Sequence, residues 1–151
     1  MTAAKPVPYE NASSGAQARE EISRLLRDMG CESVGFMDDF ADKSVLLAFT
    51  HRGRAVQLRA SAKGWAALYL RRRPWTSRMR VTIAEHQKRA LDQGLIAVNS
   101  ILRDWVKGQV TAVECGILSV EAVFMPHMLT ASGETVIEHV NKHGLLPAPK
   151  E

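Results

Sequence analysis

Ile22, Leu25, Leu26 and Met29 recur at the i, i+3, i+4, i+7 spacing that gathers apolar groups on one face of a helix. Ser14 and Gln17 have the Ser-x-x-Gln form of a capping box just ahead of them, and Gly30 stands where a helix stop belongs. The pattern predicts a helix over residues 15–29. The period then changes to two. Ser33–Met37, Ser44–Thr50 with Val45, Leu47 and Phe49 on one face, and Ala55–Ala60 with Val56 and Leu58 inward read as three strands of an antiparallel meander. His51-Arg52-Gly53-Arg54 joins the second to the third, with Gly53 supplying the positive φ of a tight hairpin. Asp38, Asp39 and Asp42 read as the loop of the first hairpin.

Helical spacing returns at Lys63–Arg72, where Trp65, Leu68 and Tyr69 form a short stripe that Pro74 ends. Thr82 and Glu85 have capping-box spacing and open the longest periodic segment of the chain, which runs to Cys115 with Gly116 as its stop. Its apolar stripe is Leu91, Leu95, Val98, Leu102, Trp105 and Val113. At 1.5 Å per residue such a helix is about 50 Å long, more than the width of a domain of this size, which predicts a bend at Gly94 or Gly108, or a half that projects and pairs with a second copy. Ser119 caps a shorter helix that Pro126 interrupts, and Glu134–His143 reads as a last helix after the turn at Ser132-Gly133. The expected architecture is α+β: an N-terminal helix, a three-stranded antiparallel meander, then a helical C-terminal half with one long helix. Residues 15–144 form one domain in this reading, with flexible tails at 1–14 and 145–151, where prolines and small polar residues dominate.

Charge adds what periodicity does not. The net +4 hides a split: residues 51–90 carry 11 Lys/Arg against one Asp/Glu, whereas residues 1–50 carry 5 against 8 and residues 91–151 carry 4 against 7. Nine of the eleven are arginine, whose planar guanidinium grips phosphate with two donors and stacks on bases. If Val56 and Leu58 point inward, Arg59 points out beside the Arg52–Arg54 turn. With Arg71, Arg72, Arg73, Arg78 and Arg80 these side chains are expected to form one basic strip, with Trp75 as the stacking group and the backbone amides of Ile83 and Ala84 as an added anion site at a helix N-terminus. Trp65 and Tyr69, at helical spacing, read as core.

Catalytic chemistry finds less support. Cys31 and Cys115 make neither a disulfide framework nor a zinc cluster, and nothing in the spacing brings either to His51, His86 or His127. A metal-dependent nuclease would set Asp38 and Asp39 against an acid-x-lysine on a neighbouring strand, but the available residues are Gln57-Leu58-Arg59. His139 and His143 have the i, i+4 spacing that aims two imidazoles at one ion, with no third ligand near and Glu138 about 100° away. No phosphate loop, GxGxxG or nucleophile elbow occurs, and nowhere do 18 apolar residues follow one another. The chain therefore reads as a non-enzymatic, cytoplasmic protein with no cofactor, no metal and no membrane partner.

The order helix, three strands, helix is shared with double-stranded RNA-binding domains, and Ser61-Ala62-Lys63-Gly64 opens the helix where that family places lysines; its run of lysines is absent here. At Pro74-Trp75-Thr76-Ser77-Arg78, at Arg103 to Glu114, and from Gly116-Ile117 to Phe124-Met125-Pro126, the chain resembles a family of uncharacterised proteins associated with prophages and other mobile elements. The likeness spans roughly residues 15–140. It implies a bacterial cytoplasm and a mobile-element setting, and it transfers no catalytic residue. The expected function is a small DNA- or RNA-binding accessory protein gripping phosphates through Arg52, Arg54, Arg59, Arg71, Arg72, Arg73, Arg78 and Arg80. The alternative is a protein–protein module, an adaptor, inhibitor or assembly component, that forms a homodimer through Leu95, Val98, Leu102 and Trp105 and docks an acidic protein partner.

Overall fold

The computed structural model describes residues 5–150. Helix α1 (Gly15–Asp28) starts at Ser14, whose hydroxyl accepts from the Gln17 amide at 3.1 Å, and ends before Gly30 at φ 101°. Strands β1 (Ser33–Asp39), β2 (Ser44–His51) and β3 (Arg54–Ser61) form an antiparallel sheet in the order β1-β2-β3. The fold is α+β, as the periodicity predicts. The β2–β3 turn is only Arg52-Gly53, both at positive φ (50° and 75°), the two-residue hairpin whose twist matches that of the strands. Asp38 and Asp39, expected in the hairpin loop, are the last residues of β1, paired with Val45 and Ser44, and from there the Asp39 carboxylate accepts from the Asp42 amide of the turn at 2.8 Å.

Alternation puts Val45, Leu47, Phe49, Val56 and Leu58 on one face of the sheet, and every one of them is buried. Against that face lie Ile22 and Leu26 of α1, Leu102, Val106 and Val110 of α3 (Ile83–Glu114), and Val123 and Phe124 of α4 (Val120–Phe124). A 3-10 turn, Met125–His127, follows α4 where Pro126 cannot extend it. Met128 and Leu129 then pair with β3, the Leu129 amide donating to the Ala55 carbonyl at 2.8 Å, so β3 is covered on its outer edge there. Helix α5 (Val136–Lys142) begins with a reciprocal Thr135–Glu138 capping box.

Helix α3 is one uninterrupted element of 32 residues, capped by Thr82. Neither glycine ends it. Gly94 is instead a place of close approach: a Cβ there would stand 3.1 Å from the Ala62 carbonyl oxygen and 3.3 Å from Trp65 of α2 (Lys63–Arg72). The buried face also departs from the expected stripe, keeping Val98 and Leu102 but passing to neighbouring residues on either side of them. It runs through Ala90, Gly94, Ala97, Val98, Leu102, Val106 and Val110, and Leu91, Leu95 and Trp105 are half-buried beside it. Small residues lie where α1 and α2 press closest, because short side chains let helix backbones approach. Val98 and Leu102 are buried inside the chain, and Trp105 packs edge-on to Phe124 at 5.9 Å, so the residues expected to form a homodimer face are used largely within one molecule.

Where a flexible tail is expected at 1–14, residues 7–12 lie against α2 and α3; residues 1–4 lie outside the described residues. Val7 is 2% exposed, packed with Trp65 and Ala97. Trp65 Nε1 donates to the Pro8 carbonyl at 2.8 Å, the Gln93 amide donates to the carbonyls of Glu10 and Ala12 at 3.0 and 2.9 Å, and the Tyr9 hydroxyl donates to Asp104 at 2.6 Å. The segment is a strap across α2 and α3, held by backbone carbonyls that composition does not reveal. At the other end, Gly144 at φ 59° lets the Leu145 amide reach the Val140 carbonyl at 3.1 Å. Residues 146–150 are exposed, and residue 151 lies outside the described residues.

Candidate nucleic-acid interface

The expected single strip is two separate groups. Arg52 and Arg54 sit at the β2–β3 hairpin, and β3, about 25 Å long at 3.3 Å per residue, runs from there towards the start of α2. Arg54 is paired with Glu121 at 3.1 Å. Arg59 does point away from the core, but its guanidinium lies 3.1 Å from the Ser44 hydroxyl and 3.7 Å from Asp39. The other group lies beyond the far end of α2, at the corner where α2 turns into α3.

Within that corner the arginines divide again. Arg73, the α2 C-cap, forks onto both carboxylate oxygens of Glu10 at 2.8–3.1 Å, and its carbonyl accepts from His86 Nε2 at 2.7 Å. Arg72 donates to the Pro6 carbonyl. Both belong to the clasp on the N-terminal strap and are not available as free phosphate grips. The indole N–H of Trp75 is likewise taken up, donating to the Val81 carbonyl at 2.7 Å and folding the loop back on itself. Four side chains are left: Arg71, Arg78, Arg80 and Arg89 are exposed and make no ion pair among the described residues. Lys88 beside them pairs with Asp92, one turn on, at 2.7 Å. From Arg71 to Leu91 seven basic side chains face the single acid Glu85. Thr82 caps the α3 N-terminus there by accepting from the Glu85 amide at 3.1 Å.

Elsewhere, several charges are paired across elements. Arg19 connects three elements at once: it bonds Asn99 of α3 at 2.9 Å, pairs with Asp38 of β1 at 2.5 Å, and lies over the Phe36 ring. That guanidinium holds the Asp38 carboxyl below its usual range. Asp104 is held low by Arg103 and by the Tyr9 hydroxyl, and in return its carboxylate raises the Tyr9 phenol. Asp42 is held low by the Ser44 hydroxyl and then by Lys63. Asp38 and Asp39 thus each face an arginine, the arrangement of structural ion pairs rather than of two carboxylates sharing a metal. Burial pushes the Cys31 thiol up to about 11, far from the reactive range, and burial lowers His127, whose ring stands edge-on to Trp105.

The chain matches no family model, no curated protein and no solved structure. Among the described residues no helix is long and apolar enough to cross a membrane. Glu134 is the chemically relevant residue that sequence reasoning passed over: it lies beside His139 and His143 in space. The signal for it is its position just ahead of the Thr135 cap, from which a turn can bring a side chain back over the helix.

Proposed function

We propose that the protein is a non-enzymatic accessory factor that binds the phosphate backbone of nucleic acid through the α2–α3 corner. The observation that carries this reading is the gathering of Arg71, Arg78, Arg80 and Arg89 at one corner, exposed and without ion pairs among the described residues, with Glu85 the single acid between Arg71 and Leu91. Exposed charge kept only for solubility needs neither arginine nor clustering, whereas multidentate phosphate contact favours both. Arg78 and Arg80 stand on the loop between α2 and α3, and the reading is of backbone contact with little base specificity. A bacterial cytoplasm with element DNA or RNA as the partner is the setting we propose for this role, on the resemblance to mobile-element proteins alone.

Fluorescence anisotropy with labelled duplex DNA, single-stranded DNA and RNA over a salt series tests it. Four phosphate contacts on duplex DNA give a slope of log affinity against log salt of about −3.6. The Arg78→Ala, Arg80→Ala double variant should bring the slope to about −1.8, and Arg54→Ala, Arg59→Ala should leave it unchanged. Absence of binding to all three at low salt, or loss of binding in the Arg54/Arg59 variant alone, would overturn the reading.

A further inference from the structure

The last turn of the molecule holds a second, independent piece of chemistry. Glu134, His139 and His143 each present a ligand atom, and those atoms lie within 4.8 Å of one another. His139 Nδ1 is 2.8 Å from Glu134 Oε1, and the two imidazole rings are 4.4 Å apart, centroid to centroid. We infer that Glu134, His139 and His143 form a binding site for one borderline divalent transition-metal ion, zinc or its chemical neighbours nickel, cobalt and copper.

The three side chains are presented by backbone that is fixed without the ion. Glu134 sits where Leu129 pairs with Thr135, its carbonyl accepting from the Thr130 amide at 2.7 Å and from the Thr130 hydroxyl at 2.9 Å. The Thr135–Glu138 capping box starts α5 in the next residue, which sets the register that puts His139 over Glu134. The His143 amide donates to the His139 carbonyl at 3.1 Å, so the two histidines keep the one-turn spacing to the end of the helix. Around a tetrahedral ion with bonds of about 2.0–2.1 Å, ligand atoms stand about 3.3 Å apart, a contraction that rotation of the exposed His143 ring supplies. Two imidazoles and one carboxylate suit a borderline cation. A single carboxylate is too little oxygen for calcium or magnesium, which take six or more hard ligands. Three protein ligands also leave a fourth position for water or for a group on a partner, the pattern of open sites rather than closed structural ones.

Isothermal titration of the full-length chain with zinc chloride should show one ion per chain, unaffected by excess magnesium or calcium. His143→Ala and Glu134→Gln should each weaken binding about 10-fold or more. Circular dichroism of these variants should match the parent, since neither side chain is part of the core. Cobalt(II) provides the second readout: visible d–d bands without thiolate-to-cobalt charge transfer, which sets this site apart from one built on the exposed Cys115. No saturable binding, binding unchanged in both variants, or a thiolate band would each overturn the assignment.

Discussion

Replacing Gly94 by alanine adds one methyl group to the middle of α3, and two opposing effects decide the result. In an open helix the change stabilises, because glycine is about 0.8–1 kcal/mol less favourable than alanine there. At Gly94 the new Cβ stands 3.1 Å from the Ala62 carbonyl oxygen and 3.3 Å from both Ala62 Cβ and Trp65 Cε3. None of these atoms yields easily. The carbonyl is already accepting from the Ala66 amide at 2.9 Å, and Trp65 is held by its bond to Pro8. Overpacking of this kind costs about 1–3 kcal/mol, so the net change should be a loss of about 1 kcal/mol. Gly108 is the control within the same helix: a Cβ there meets nothing within 4 Å, and Gly108→Ala should gain up to about 1 kcal/mol. For a domain of this size each kcal/mol moves Tm by about 2–4 °C, so calorimetry or urea unfolding should separate the two variants by several degrees with opposite signs. If Gly94→Ala stabilised as Gly108→Ala does, the close approach of α2 to α3 would be wrong, and with it the placement of the arginine corner.

Arg73→Ala removes the fork onto Glu10 and should cost about 1 kcal/mol while releasing the N-terminal strap, read as faster limited proteolysis within residues 5–14 with the rest of the chain intact; equal protection in the variant would show that the clasp does not hold the strap. His127 has a lowered pKa through burial, so its neutral form favours the fold: that contribution is complete above the unfolded value near 6.5 and is lost as pH falls through the folded value. A Tm series from pH 7.5 to 5 should therefore decline less in His127→Gln than in the parent. With its pKa near 11, Cys31 should be about 10⁻³ thiolate at pH 8 and label far more slowly with iodoacetamide than exposed Cys115, as peptide mass mapping would show; comparable rates would mean that the α1–β1 junction opens readily.

Local chemistry was largely legible and long-range chemistry was not. The caps at Ser14, Thr82 and Ser119 act within three residues of themselves, and each of those helices begins where its cap stands, whereas the last helix starts at Val136 behind a Thr135 cap and not at Glu134. The strands follow from alternation that the core obeys residue by residue. Gly94 shows the limit: its sequence context suits a bend or a close contact equally, and only the approach of Ala62, 32 positions away, decides between them. The N-terminal half of the α3 face has the same cause, since large residues advertise a stripe while alanine and glycine, which mark the closest packing, do not. In the basic region the residue type was plain, but the partners that remove Arg73, Arg59 and Arg54 from the surface charge are Glu10, Asp39 and Glu121, all distant in sequence. The two histidines were visible by spacing, and Glu134 was not, because it lies outside the helix whose period would have flagged it.

The strap has a consequence for how the chain is made. Tyr9 bonds Asp104, 95 residues later, and the sheet's buried face needs Leu102, Val106 and Val110 to cover it. At synthesis rates of about 5–20 residues per second, residue 9 leaves the ribosome about 5–20 s before its partner exists. For that interval Val7, Leu47, Phe49 and the inner side of α1 have no complete core to enter, so these apolar groups stay open to a holdase chaperone. The emergence of α3 supplies the face that covers the sheet and the anchor for the strap, and Val123, Phe124 and Met128 close the core after it.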